Sequence, residues 1–281
     1  VNLGFTYCET LPARAEGRAL LDWLAGEYRH STRAEWSERI GRGLVTLDGH
    51  AAHDCDLVRE GQRLSWARPP WVEAEVPLHF DVVYQDAHLL VVDKPSGLAT
   101  LPGGGFHQHT LLALVRARDP KWSAVHRLGR GTSGLVIFAD ALAAPALNRA
   151  FCERRIEKRY LARVTGALTP RTICAPIGPV PHPRLGTLHA VSESGRYAQT
   201  IVERVEGSLA QVRIVTGRPH QIRIHLAFTG HPLEGDPLYG LGGPRPDAVP
   251  SELGYWLRAW ELRFEHPVTG EPLCLTVARD A

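Results

Sequence analysis

Residues 126–134 read His126-Arg127-Leu128-Gly129-Arg130-Gly131-Thr132-Ser133-Gly134. One short glycine-rich stretch thus carries an imidazole, two guanidiniums and two hydroxyls. Such groups suit phosphate binding and proton handling. The spacing also matches G-x-G-x-x-G, which could cradle a dinucleotide. That use requires a strand before the glycines and a helix starting at them, so that the helix N-terminus meets the pyrophosphate. Here the glycines lead into Leu135-Val136-Ile137-Phe138-Ala139, a β-type run. The dinucleotide reading is therefore set aside.

Three further stretches concentrate chemistry. The first is Val92-Asp93-Lys94-Pro95-Ser96-Gly97-Leu98, ending at Pro102. The second runs Lys158-Arg159-Tyr160-Leu161-Ala162-Arg163-Val164-Thr165-Gly166. The third is Thr216-Gly217-Arg218-Pro219-His220-Gln221-Ile222-Arg223-Ile224-His225-Leu226, continuing to Gly235-Asp236-Pro237-Leu238-Tyr239-Gly240. His220 and His225 are five apart, whereas helical metal pairs sit at i, i+4, so no metal is expected. Asp236 reads as a turn residue.

Taken in order with the 126–134 loop, these stretches resemble the RluA-type pseudouridine synthases over about residues 78–281. The resemblance implies isomerisation of uridine to pseudouridine in structured RNA, ribosomal or transfer, with no cofactor. The bond from ribose to the base nitrogen breaks, the base turns, and it rejoins through carbon 5. Such chemistry needs a dry pocket and a target nucleotide taken out of its stack. The resemblance assigns Tyr160 to stacking on the uracil and Arg127 to displacing the target base. It assigns Arg218 to pairing with the nucleophilic aspartate, and Lys94 to the RNA-contacting groups. His126, Thr132 and Ser133 are expected to shape the loop.

The loop departs from the family pattern at one residue: where the family carries the nucleophilic aspartate, this chain has Gly129. Glycine can be neither nucleophile nor base, and losing such a group costs about 10⁴- to 10⁶-fold in rate. Three answers stand open. Asp93, at the end of a strand, could substitute, with Asp119 and Asp140 expected to point elsewhere. A substrate phosphate or water could neutralise Arg218. Or the chain could be a catalytically impaired, RNA-binding relative.

The elements that must position these residues fall into two parts. Ala67–Pro77 holds three prolines in eleven residues and reads as an extended linker. The expected division is 1–67, a linker at 68–77, and a catalytic domain at 78–281. In the first part, 18–28 and 31–40 are expected helices, the second capped by Ser31. A strand at 44–47, an Asp48-Gly49 turn and a strand at 58–66 follow. Arg29, Arg33, Arg39 and Arg42 lie on or near the second helix. This pattern resembles the S-four-like RNA-binding module, with Arg33 and Arg39 as RNA contacts. In the second part, short strands at 89–92, 135–139, 160–164 and 210–215 outnumber helices at 110–117, 143–153 and 220–228. They do not alternate regularly with them. That pattern predicts an α+β fold on a largely antiparallel sheet.

Composition sets outer bounds. Net charge is +2. Residues 1–77 hold 9 Arg against 12 Asp and Glu, so the excess of cations falls on the later part. No apolar run reaches a membrane-spanning length, and Val1–Thr10 lacks the pattern of a secretory signal. Five scattered cysteines without C-x-x-C suit reduced thiols and a cytoplasmic setting. RNA is the expected partner, and the chain is expected to be monomeric. The absence of methionine has no physical account.

Overall fold

The computed structural model describes residues 1–28, 30–248 and 253–279; Arg29 lies outside the described residues. The chain divides into Val1–Glu73 and Ala74–Ala281, a boundary inside the proline-rich stretch.

The first unit carries β1 (Phe5–Thr10), α1 (Leu20–Glu27), α2 (Arg33–Gly41), β2 (Val45–Leu47), β3 (His50–Ala51) and β4 (Arg63–Arg68). The strands form an antiparallel sheet in the order β1-β4-β2-β3. The two helices bury Leu20, Trp23, Leu24, Trp36 and Ile40 in a core shared with Val45, Val58 and Leu64. The N-cap of α2 is Thr32, not Ser31. Its hydroxyl accepts from the Glu35 amide while the Glu35 carboxylate accepts from the Thr32 amide, a reciprocal capping box. Ser31 instead takes a hydrogen bond from Arg39 at 2.7 Å. β1 has no counterpart in the sequence reading. It is exposed throughout, so its pattern carries no burial signal.

The second unit is built on one ten-stranded sheet. Its elements are β5 (Asp81–Gln85), β6 (Leu89–Lys94), α3 (Leu111–Arg118), β7 (Ser123–Ala124), β8 (Ser133–Ala139), α4 (Ala144–Cys152) and β9 (Glu157–Arg163). They continue as β10 (Arg171–Cys174), β11 (Ile177–His182), β12 (Gly186–Val191), β13 (Gln199–Glu206), β14 (Leu209–Ile214) and α5 (Gln221–Phe228). The last are β15 (Tyr239–Gly240), β16 (Gly243–Pro244), β17 (Leu257–Glu265) and β18 (Pro272–Thr276). The main path runs β10-β13-β14-β9-β17-β8-β6-β5, with β18 on β17 and β7 on β8. Among the pairings of the named strands only β17–β8 is parallel, so the fold is α+β on a mixed, largely antiparallel sheet. Side chains alternate across it. Leu90, Val92, Val136 and Phe138 face a core closed by α3 and α5. Leu89, Val91, Leu135 and Ile137 face one closed by α4. No helix among the described residues is long and apolar enough to cross a membrane.

β17 lies at the centre of the sheet although it carries Arg258, Glu261 and Arg263. Its charges are matched by strands distant in sequence. Arg258 grips the Asp93 carboxylate with two bonds, at 2.6 and 3.2 Å. Arg159 of β9 meets Glu261 at 2.6 Å. The parallel β8–β17 contact depends on Gly134. Its φ is +109°, and a Cβ there would lie 2.2 Å from the Ala259 carbonyl oxygen. Gly134→Ala should therefore lose about 3 kcal/mol or more, read as a lowered midpoint in urea denaturation.

Candidate active site

Lys94 ends β6 at a position with no exposed surface. Its ammonium donates to the carbonyls of Leu98 at 2.7 Å, Pro95 at 2.9 Å and Arg130 at 3.3 Å. The expected RNA contact is thus corrected. A cation buried against three carbonyls cannot present itself to a phosphate, and Lys94 is a fastener between two loops. Neighbouring bonds reinforce it. The Gly97 amide donates to Arg130 O at 2.8 Å, and the Ser96 hydroxyl to Gly131 O at 2.8 Å. Thr100 Oγ1 donates to Leu128 O at 2.9 Å and accepts from the Leu128 amide at 3.2 Å. The 126–134 stretch is therefore shaped from outside by 94–100.

Within that stretch His126 is a structural group. Its Nε2 accepts from the Ile137 amide at 3.0 Å, which requires the neutral ring with its proton on Nδ1. Burial, aided by the Lys158 ammonium, pushes it down to about 3. The Thr132 amide closes a turn onto Gly129 O at 3.0 Å.

These loops form one side of a cavity of about 830 Å³. Gly129, Arg127 and Arg130 line it from the loop, Tyr160 from β9, and Arg218, His220 and Arg223 from the region of α5. Leu128, Ile214 and Leu257 supply apolar wall. Tyr160 is buried, and burial raises its phenol well above the ordinary range, so it remains a neutral hydroxyl. Arg127 is exposed at the rim. Four arginines face this space, and among the described residues no carboxylate lines it.

The sequence-derived site residues divide on this geometry. Gly129, Tyr160, Arg127 and Arg218 come together around the cavity. Asp93 does not line it; its carboxylate is held by Arg258. Arg218 is only partly buried, and its Nε donates to Tyr197 O at 3.0 Å. Among the described residues it pairs with no carboxylate, and its partial exposure lets solvent carry the charge. Arg33 and Arg39 belong to the first unit. Arg33 pairs with Asp22 on the surface. Arg39 stacks over Trp36 and Trp66 at 4.6 and 4.8 Å.

Two residues to which the sequence reading gave no role, Arg223 and Tyr255, line the cavity. Arg223 is 2% exposed and holds Asp236 with two bonds of 2.7 Å. Asp236 also accepts from the Leu238 and Tyr239 amides, so it is a turn residue and an anchor at once. Arg223 lies over the Tyr255 ring at 4.1 Å, and its Nη1 has no hydrogen-bond partner among the described residues. Tyr255 is buried, lines the cavity and shares a 3.2 Å hydrogen bond with Thr132. Arg223 was visible as the last residue of His-Gln-Ile-Arg. Tyr255 lies outside every motif, and no sequence signal marks it. Of the two histidines, His225 is buried between Thr200 Oγ1 and Ala175 O, both at 2.9 Å. His220 contacts the Tyr239 hydroxyl at 3.0 Å.

The sheet thus carries a cationic cavity between its glycine-rich loop and the start of α5, a lining suited to a phosphate-bearing ligand. A family model described as RNA pseudouridylate synthase matches residues 88–228. An uncharacterized RNA pseudouridine synthase of Synechocystis sp. is 41% identical over 92% of both chains. A ribosomal large subunit pseudouridine synthase D of Xanthomonas campestris is 36% identical, covering 94% of this chain and 86% of that protein. The solved human RNA pseudouridylate synthase domain containing 1 aligns with a TM-score of 0.56 and 26% identity, over 74% of this chain and 86% of that one. The chain belongs to the RNA pseudouridylate synthase family.

Two outcomes test the loop's construction. Lys94→Met removes the ammonium from the Leu98 and Pro95 carbonyls, while Arg130 O keeps the Gly97 amide, and should cost about 2–4 kcal/mol in chemical denaturation. His126 imposes a pH dependence. Its folded value is depressed from 6.5 to about 3, so on acidification only the unfolded chain takes up the proton. Stability should be unaffected above about pH 7 and fall by about 2 kcal/mol by pH 5. That slope should shrink in His126→Gln.

Proposed function

We propose that this chain converts uridine to pseudouridine within structured RNA, with large-subunit ribosomal RNA as the first substrate class. The carrying observation is the composition of the cavity: four arginines, a buried neutral tyrosine and, among the described residues, no carboxylate. Such a space attracts a phosphate-bearing nucleotide and does not repel it. Its volume of about 830 Å³ suits a nucleotide turned out of its stack. In this reading Tyr160 forms a wall against the uracil. Its raised phenol keeps it from acting as a base, so the ring is what matters. Arg127 at the rim displaces the target base, and Arg218 takes a flanking phosphate.

The family relationship supports RNA as substrate, and the relatives named for the large ribosomal subunit support ribosomal RNA over transfer RNA. The first unit extends the RNA surface as an S-four-like module. The surface pair Arg33–Asp22 is weak enough to exchange for a phosphate, while Arg39 is set by its stacking. Five free, exposed cysteines fit a reducing cytoplasm, and the cavity is formed within one chain.

The test is release of tritium from carbon 5 of uridine in unmodified ribosomal and transfer RNA transcripts. The native chain should release it. Tyr160→Ala should lower kcat/KM by about 10- to 100-fold through lost stacking, and Tyr160→Phe, which keeps the ring, far less. A native chain that binds these transcripts and releases no tritium would instead be a non-catalytic relative.

A further inference from the structure

Gly129 leaves the position of the family's reacting carboxylate without a side chain, yet the space beside it is not empty. A Cβ built on Gly129 would lie 3.5 Å from the Tyr255 hydroxyl and 3.7 Å from Thr132 Oγ1. A carboxyl carbon reaches one further bond, ~1.5 Å, beyond Cβ. The phenolic oxygen therefore lies within contact of the space that an aspartate side chain at 129 would enter. It is held there from several sides. Thr132 bonds it at 3.2 Å, and the Arg223 guanidinium lies over the ring at 4.1 Å. The chain reaches this place through a backbone crossing: a Cβ on Gly235 would lie 2.0 Å from Gly254 O. Two glycines back to back thus bring Asp236, the anchor of Arg223, beside Tyr255.

We propose that the Tyr255 hydroxyl is the catalytic nucleophile of this chain, in the place of the missing carboxylate. The inference rests on the uridine isomerase reading given above. Tyrosine serves as a glycosyl nucleophile in sialidases, and a guanidinium over the ring favours negative charge on its oxygen. In the first step Tyr255 Oη bonds to C1′ of the ribose as the C1′–N1 bond breaks. The phenolic proton passes to the departing uracil, which leaves neutral. In the second step C5 of the turned base attacks C1′, and the C1′–Oη bond breaks. The proton from C5 returns to the phenolate oxygen. No atom or electron is gained or lost, so no co-reactant is needed. The unpartnered Arg223 Nη1, buried at the cavity wall, supplies a donor for an acceptor on the base.

The experiment uses the full chain and the same tritiated transcripts. Tyr255→Phe keeps the ring under Arg223 and should lower kcat by about 10³-fold or more, with KM changed little. Thr132→Val removes the same hydrogen bond but keeps the hydroxyl, and should lose about tenfold or less. Gly129→Asp combined with Tyr255→Phe should recover at least about 100-fold over Tyr255→Phe alone, because the carboxylate enters the vacated space. The proposal is overturned if Tyr255→Phe loses less than tenfold, if Thr132→Val falls as far, or if the folded double variant recovers nothing. Should Tyr255→Phe fail to fold, 3-fluorotyrosine at position 255 keeps the shape and makes the phenol more acidic. The pH dependence of kcat should then move to lower pH, and an unmoved profile overturns the assignment. A native chain that releases no tritium sinks the isomerase reading itself, a result distinct from these.

Discussion

A single buried ammonium holds the site together. Lys94 ends a central strand and spends its charge on the carbonyls of Pro95, Leu98 and Arg130. Bare charge in a protein interior is costly unless polar groups surround it. Here the groups that surround it are the backbones of the two loops that frame the cavity. The requirement to solvate one cation thus fixes the relative positions of residues 95–98 and 127–131. Ser96, Gly97 and Thr100 then set the remaining contacts. The glycine-rich loop is held on its far side by protein donors.

The sheet solves a related problem. β17 runs through its middle with charged residues, of which Arg258 and Glu261 are answered by partners on other strands. Asp93 meets Arg258, while Glu261 is shared by Arg159 and Arg263. Arg159 also reaches Glu203, which in turn meets Arg213. Breaking one member of such a set strands its neighbours. The network therefore adds to the register already set across β14, β9 and β17 by the buried faces of the sheet.

Much of this was legible in the sequence, and what was not has specific causes. The apolar runs of β6 and β8 stand out because the two strands pair with each other in a buried part of the sheet, and β9 and β14 show through shorter apolar stretches. α3, α4 and α5 showed as helical stretches between them. β17 was hidden because its charges interrupt the apolar pattern, and the partners of Arg258 and Glu261 on other strands lie more than a hundred positions away. Lys94 read as a surface cation because sequence does not reveal burial; three carbonyls made its burial tolerable. Arg218 attracted attention over Arg223 because both sit in one motif. Only the fold shows which one turns inward, onto Asp236. Tyr255 could not be found from spacing, since a crossing of Gly235 and Gly254 delivers it.

The shape of the loop at Gly129 does not depend on the residue there. Its backbone lies outside the left-handed region, the space around it admits a Cβ, and its turn is held by Lys94, Thr100 and Thr132. Two of the four glycine codons become an aspartate codon by one nucleotide change. A lineage carrying this fold can therefore pass between a loop with a carboxylate and a loop without one in a single mutational step. The scaffold would be retained at each stage. The fastener behind the loop thus separates the inheritance of the fold from the inheritance of its reacting group.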